Sequence, residues 1–130
     1  LCFKSDFLYP QSPSSETNDL MAEVNLRSIS AAIISYAEVN NGRFPTDFLS
    51  DIINVNPPYL SQDYANMEKN GYKYSVGFYP DGYKIIATPI ACSQTGTKVF
   101  VLEARGEEVN KIIQGKRVPS DLEIKKSNCE

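Results

Sequence analysis

Histidine and tryptophan are both missing from the 130-residue chain. Without histidine there is no Ser-His or Cys-His nucleophile pair and no usual catalytic zinc set. Mixed Cys/His structural zinc patterns are excluded for the same reason. No window of ~18 consecutive apolar residues occurs, so no segment reads as a membrane-crossing helix. The opening residues lack the basic start and apolar run of a secretory signal, so the N-terminus is expected to be a processed or truncated one. A basic surplus is lacking too: 13 Lys and Arg against 16 Asp and Glu leave a net charge of −3. Lys116-Arg117 and Lys125-Lys126 are the densest basic stretches, and acidic residues interrupt both. They read as solvated surface rather than a nucleic-acid or anionic-membrane footprint. No glycine-rich phosphate loop is present, and Asp47, Asp51, Asp63 and Asp81 lack calcium-loop spacing. Glu107-Glu108 falls in a predicted turn and reads as a solvated pair. These absences predict neither an enzyme nor a bound cofactor.

What is present suits one domain. A hydrophobic fraction of 42% in 130 residues supports a single core, and a charged fraction of 22% is ordinary for a globular chain. The fourteen aromatics are all Tyr or Phe, and most fall at core-facing helix or strand positions or anchor loops. The three cysteines, Cys2, Cys92 and Cys129, allow one intrachain bridge with one thiol left over, or three reduced thiols in a cytosolic protein. A bridge would imply an oxidising compartment and hence export.

Residues 1–16 form an apolar arm and a break. Leu1, Phe3, Phe7, Leu8 and Tyr9 surround only Lys4 and Asp6, and Pro10 to Ser15 should be non-helical because Pro10 and Pro13 interrupt any helix. The arm either folds back on its own domain or packs against a partner chain. The globular domain then covers 17–130. Thr17 or Asn18 is a plausible N-cap, with Asp19 in the first turn where a negative charge suits the helix dipole. A helix is predicted to about Asn40 with an apolar stripe of Ala22, Leu26, Ile29, Ile33, Tyr36 and Ala37 at steps of three and four. Met21, Val24, Ala32, Ile34 and Val39 widen that surface, which predicts more than one neighbour for the helix. Asn40-Asn41-Gly42 stops it and Pro45 prevents resumption.

Thr46 to Ile53 reads as a short second helix or a turn, and Asn54 to Ser61, with Pro57-Pro58, reads as a loop. After Gly71 the period changes to two: Tyr72, Tyr74, Val76 and Phe78 alternate with Lys73, Ser75 and Gly77. Pro80-Asp81-Gly82 is a turn in which Pro presets its dihedral and Gly accepts positive φ, and Tyr83 to Pro89 returns as a strand. Thr97 to Ala104 is a third strand. Glu108 to Ile113 is a fourth strand or a helical turn, and Gly115 to Glu130 reads as a charged tail. The expected fold is α+β: a long N-terminal helix covering one face of a 3–4-stranded antiparallel sheet.

The run Asn25-Leu26-Arg27-Ser28-Ile29, Ala31-Ala32, Tyr36-Ala37 and Asn41-Gly42-Arg43-Phe44-Pro45-Thr46 resembles the first-helix end of type IV pilins and pseudopilins, which closes on a similar NGRYP signature. Gly71-Tyr72-Lys73-Tyr74, Asp81-Gly82-Tyr83-Lys84-Ile85, Ala87-Thr88-Pro89, Thr95-Gly96-Thr97-Lys98 and Phe100 are similar to that family's sheet region. The resemblance covers 20–106. It implies a pilin-like head and a structural role in a filament. It also implies a disulfide between Cys92 and Cys129, as in pilins whose C-terminal loop is closed this way; such a loop would constrain the unfolded chain by roughly 3–4 kcal/mol. The chain departs from the family in lacking the apolar FTLIE-type helix, and Pro10 to Ser15 could not continue one.

The resemblance therefore points to a split arrangement. A separate short hydrophobic chain would supply the membrane and filament-core helix, and this chain the head, alongside other copies of itself in an extracellular filament exported through a bacterial periplasm. No nucleic acid is expected, and membrane contact only through the partner. Phe3, Phe7, Leu8, Leu20, Met21 and Val24 are the expected docking residues, each worth about 1.5–3 kcal/mol when buried. Two alternatives stand beside this reading. One is a minor pilin or pseudopilin ectodomain of a type II secretion-like system. The other is a secreted binding module using the Pro57–Tyr64 and Ala91–Gly96 loops.

Overall fold

Ser14 opens the first helix. In the computed structural model, which describes residues 14–130, its Oγ accepts a hydrogen bond from the Thr17 N–H at 3.1 Å, satisfying a donor that the first helical turn leaves without a partner. The cap thus falls upstream of the expected Thr17 or Asn18, and Ser15, expected to be non-helical, is the first residue of α1 (Ser15–Val39). The helix ends where expected. Asn41 takes a left-handed φ of 59°, and the Gly42 N–H reaches back to the Ala37 carbonyl at 2.8 Å. Ala22, Leu26, Ile29, Ile33 and Ala37 are buried as the stripe predicts, and Tyr36 is half-buried.

After α1 a π-helical turn, Leu49–Ile53, and a short 3-10 turn, Tyr64–Asn66, lead into the sheet. Its strands are β1 (Glu68–Lys69), β2 (Tyr72–Tyr79), β3 (Gly82–Pro89), β4 (Lys98–Arg105) and β5 (Ile124–Asn128), all antiparallel and ordered as in the chain. The inward positions Tyr72, Tyr74, Tyr83, Ile85, Ala87, Phe100, Leu102 and Ala104 are buried and meet the helix stripe in one core. This is the expected α+β architecture, with α1 packed on an antiparallel sheet, but the sheet has five strands rather than three or four, because Glu68–Lys69 and Ile124–Asn128 add a strand at each edge.

Four local outcomes differ from the sequence reading or resolve it. Glu107–Ile113 is a helix, α2, burying Val109 and Ile112, a spacing of three that a strand would send to opposite faces. The charged tail contains β5, which pairs with β4 from Lys98↔Asn128 to Leu102↔Ile124. Gly82 belongs to β3, paired with Tyr79, and is not among the residues of positive φ. Its lack of a side chain serves close approach instead: a Cβ there would run into the Ala104 carbonyl oxygen and lie 2.8 Å from Arg105 Cα. Asn25, read as part of the polar face, is only 3% exposed. Its Nδ2 donates to Tyr74 Oη at 2.8 Å and to Asn70 Oδ1 at 3.0 Å, which meets the requirement that buried polar groups be paired.

Candidate functional site

α1 carries a second stripe opposite the core. Leu20, Val24, Ser28, Ala31, Ser35 and Val39 follow one another at steps of four, four, three, four and four, so they share one face. Leu20 is 65% exposed, Val24 54% and Val39 68%. The Ser28 hydroxyl donates to the Val24 carbonyl at 3.1 Å, turning its donor into the helix. Glu23, Val24, Arg27, Ser28 and Ala31 line a shallow, mostly apolar depression of about 440 Å³. The flanking charges are engaged with the protein's own C-terminal segment. Glu23 Oε1 pairs with Lys126 Nζ at 3.4 Å, and Arg27 Nη1 donates to the Leu122 carbonyl at 2.7 Å. An approaching apolar surface therefore meets methyl groups whose charged neighbours already have partners nearby.

The same end of α1 is clamped from below. Cys92 and Cys129 are disulfide-bonded with Cα atoms 5.8 Å apart, closing the β3–β4 loop onto β5, and the Cys129 N–H donates to the Thr97 carbonyl at 3.1 Å. From this closed loop three bonds reach the helix. The Thr97 N–H donates to Asp19 Oδ1 at 2.9 Å, the Thr97 hydroxyl donates to Asp19 Oδ2 at 2.5 Å, and Asn18 Nδ2 donates to the Thr95 carbonyl at 3.0 Å. Tyr72 adds a fourth tie, its hydroxyl donating to Asp19 Oδ1 at 2.6 Å. Gly96 admits this ring, since a Cβ there would lie 2.5 Å from the Tyr72 hydroxyl oxygen. Burial opposes ionisation of Asp19. The hydrogen bonds from Thr97 and Tyr72 and the nearby Lys98 charge outweigh it, so its carboxyl sits below the ordinary carboxylate value. Burial, then the Asp19 hydrogen bond, pushes the Tyr72 phenol well above its ordinary value.

Among the expected docking residues, Leu20 and Val24 lie together on the outer face, while Met21 is half-buried at its flank. Phe3, Phe7 and Leu8, with Cys2, lie outside the described residues. Asp19 was read as a dipole partner of the helix and is instead the acceptor at the centre of the clamp. Nothing in a single sequence marks that role, because its partners stand 53 and 78 positions away.

No family model, curated protein or solved structure matches the chain. Among the described residues, no group of three or more His, Cys, Asp or Glu could hold a metal ion, and no helix is long and apolar enough to cross a membrane. Chemically, the outer stripe offers shape and apolar area on a helix held rigidly at one end. Of the two loops expected to suit a ligand, Ala91–Gly96 carries the bridged Cys92 and the Thr95 carbonyl that holds Asn18, and the Pro57–Tyr64 loop borders a cavity.

Proposed function

We propose that the chain is the globular head of a type IV pilin-like filament subunit, docking through the outer face of α1 onto an apolar helix supplied by a separate short chain. The observation that carries this reading is the exposure of Leu20 and Val24 on a stripe of apolar and small residues. A lone exposed apolar residue needs no explanation, but a helical row of them suits a partner surface. The helix end bearing them is tied to the sheet by Asp19 and Asn18, so docking would cost little ordering entropy in the head. The disulfide fits an exported protein, and the order of helix, meander and closed C-terminal loop fits a pilin-like head. On this reading the role is structural, without cofactor or catalysis, in an extracellular filament built from copies of this chain and its short partner.

The test replaces Leu20 and Val24 by Glu together in the producing cell. The double variant should vanish from sheared surface filaments while the purified chain melts as the parent does. Mass analysis of dissociated parental filaments should show this chain with a second, short apolar one. Normal incorporation of the double variant would refute the docking face. Filaments whose only subunit is this polypeptide with its own apolar extension would refute the split arrangement.

A further inference from the structure

We propose that the cavity between the C-terminal end of α1 and the Pro57-Pro58 loop binds a neutral saccharide. The cavity has a volume of about 470 Å³, within the ordinary range for small-molecule sites. Its walls combine two tyrosine rings with amide and carboxylate side chains. Tyr36 and Tyr59 stand edge to face, with centroids 5.7 Å apart, and both are half-buried. The negative face of such a ring attracts the slightly positive C–H edges that a pyranose presents on its flat side.

Around the rings, hydrogen-bonding capacity is left unspent among the described residues. Asp51 Oδ2 accepts from the Thr46 and Asp47 N–H groups at 2.9 and 3.2 Å, which fixes the carboxylate while Oδ1 has no partner among the described residues. Asn40 uses its Nδ2 on the Tyr36 carbonyl at 2.7 Å, leaving its oxygen to accept. The Asn56 amide and both tyrosine hydroxyls make no bond to described residues. This mixture of acceptors and donors matches vicinal hydroxyls, each of which donates and accepts. Among the described residues no basic side chain lines the cavity, which disfavours anionic sugars.

The site is held in shape before any ligand arrives. The Tyr59 N–H donates to the Ile52 carbonyl at 2.9 Å and the Asn54 N–H to Leu49 at 2.8 Å, and both tyrosines pack on the core. It also lies some sixteen residues, or about 24 Å along the helix, from Leu20, so an occupant of the Leu20–Val24 end of the docking face leaves it open. The inference stands on this cavity alone and does not require the filament reading.

The experiment is an NMR titration of the full chain with methyl glycosides of glucose, galactose, mannose and N-acetylglucosamine and with their short oligomers, to millimolar concentration. A sialylated oligosaccharide and a proline-rich peptide serve as contrasts. A neutral sugar should shift the amides of Asn40, Asp51, Asn56 and Tyr59 together. Asn56→Ala, at an exposed position, should weaken binding about tenfold, and Tyr59→Leu should abolish it. The proposal is overturned if no neutral sugar shifts these amides, if only the sialylated sugar or the peptide does, or if Asn56→Ala binds as the parent does.

Discussion

Replacing both bridged cysteines, as Cys92→Ser with Cys129→Ser in a Cys2→Ser background, should lower the melting temperature sharply. The bridge spans a sequence separation of 37. Loop-closure entropy for that length comes to about 3.8 kcal/mol at room temperature. For a domain of this size each kcal/mol moves the midpoint by a few degrees, so the loss should be roughly 12–20 °C. The serines add no cavity comparable to a lost core side chain, because both cysteines are half-buried rather than sealed. Circular dichroism melts of parent and variant at one pH measure the shift. Hydrogen exchange then locates it. Amides of β5 and of residues 90–98 should lose protection first, followed by the first turns of α1, which hang on Thr95 and Thr97. A drop of only a few degrees, or protection lost evenly across the molecule, would refute the assignment of the bridge as the anchor of this corner.

Asp19→Ala should cost about 2–3 kcal/mol, because the Thr97 N–H is left without its acceptor; urea midpoints at neutral pH measure it. Since the folded-state pKa of Asp19 lies below its ordinary 3.8, its contribution is complete above that value and is lost as pH falls through the lower folded one. Asp19→Asn should flatten that acid limb of stability, and an unchanged acid profile would count against the clamp. Gly82→Ala should destabilise by about 2–3 kcal/mol in the same assay, because β4 must move to admit a methyl group. Asn25→Leu should lose stability despite its added apolar area, since Asn70 Oδ1 loses its donor; a more stable protein would show the network to be dispensable.

The parts of the fold governed by near neighbours were readable. The α1 core stripe, its Asn41-Gly42 stop and the β2–β3 hairpin follow from spacing and turn chemistry within a few residues. β5 was not readable, because only Ile124 of its five residues is buried, which leaves no alternation to detect. α2 stayed undecided because Val109, Ile112 and Ile113 fit a helical turn, while Val109 and Ile113 also fit a strand. Leu20 and Val24, expected at a docking surface, lie exposed on one face of the helix. Met21 could not be separated from them, since the flank it packs against depends on the tertiary arrangement. The clamp and the Asn25 network escaped for the same reason: each joins residues at least 45 positions apart.

Two faces on one rod have a consequence for how the chain can change over time. Each residue added to an α-helix turns everything beyond it by about 100°. A single insertion between Leu26 and Ala31 would swing Ile33 and Ala37 out of the interior and move Ala31 and Ser35 off the outer row. Both surfaces would fail in one step, although neither had been touched. Such a helix tolerates exchange of residues far better than slippage of its reading frame, and length variation among descendants of this chain should gather in the loops, with α1 held constant in register.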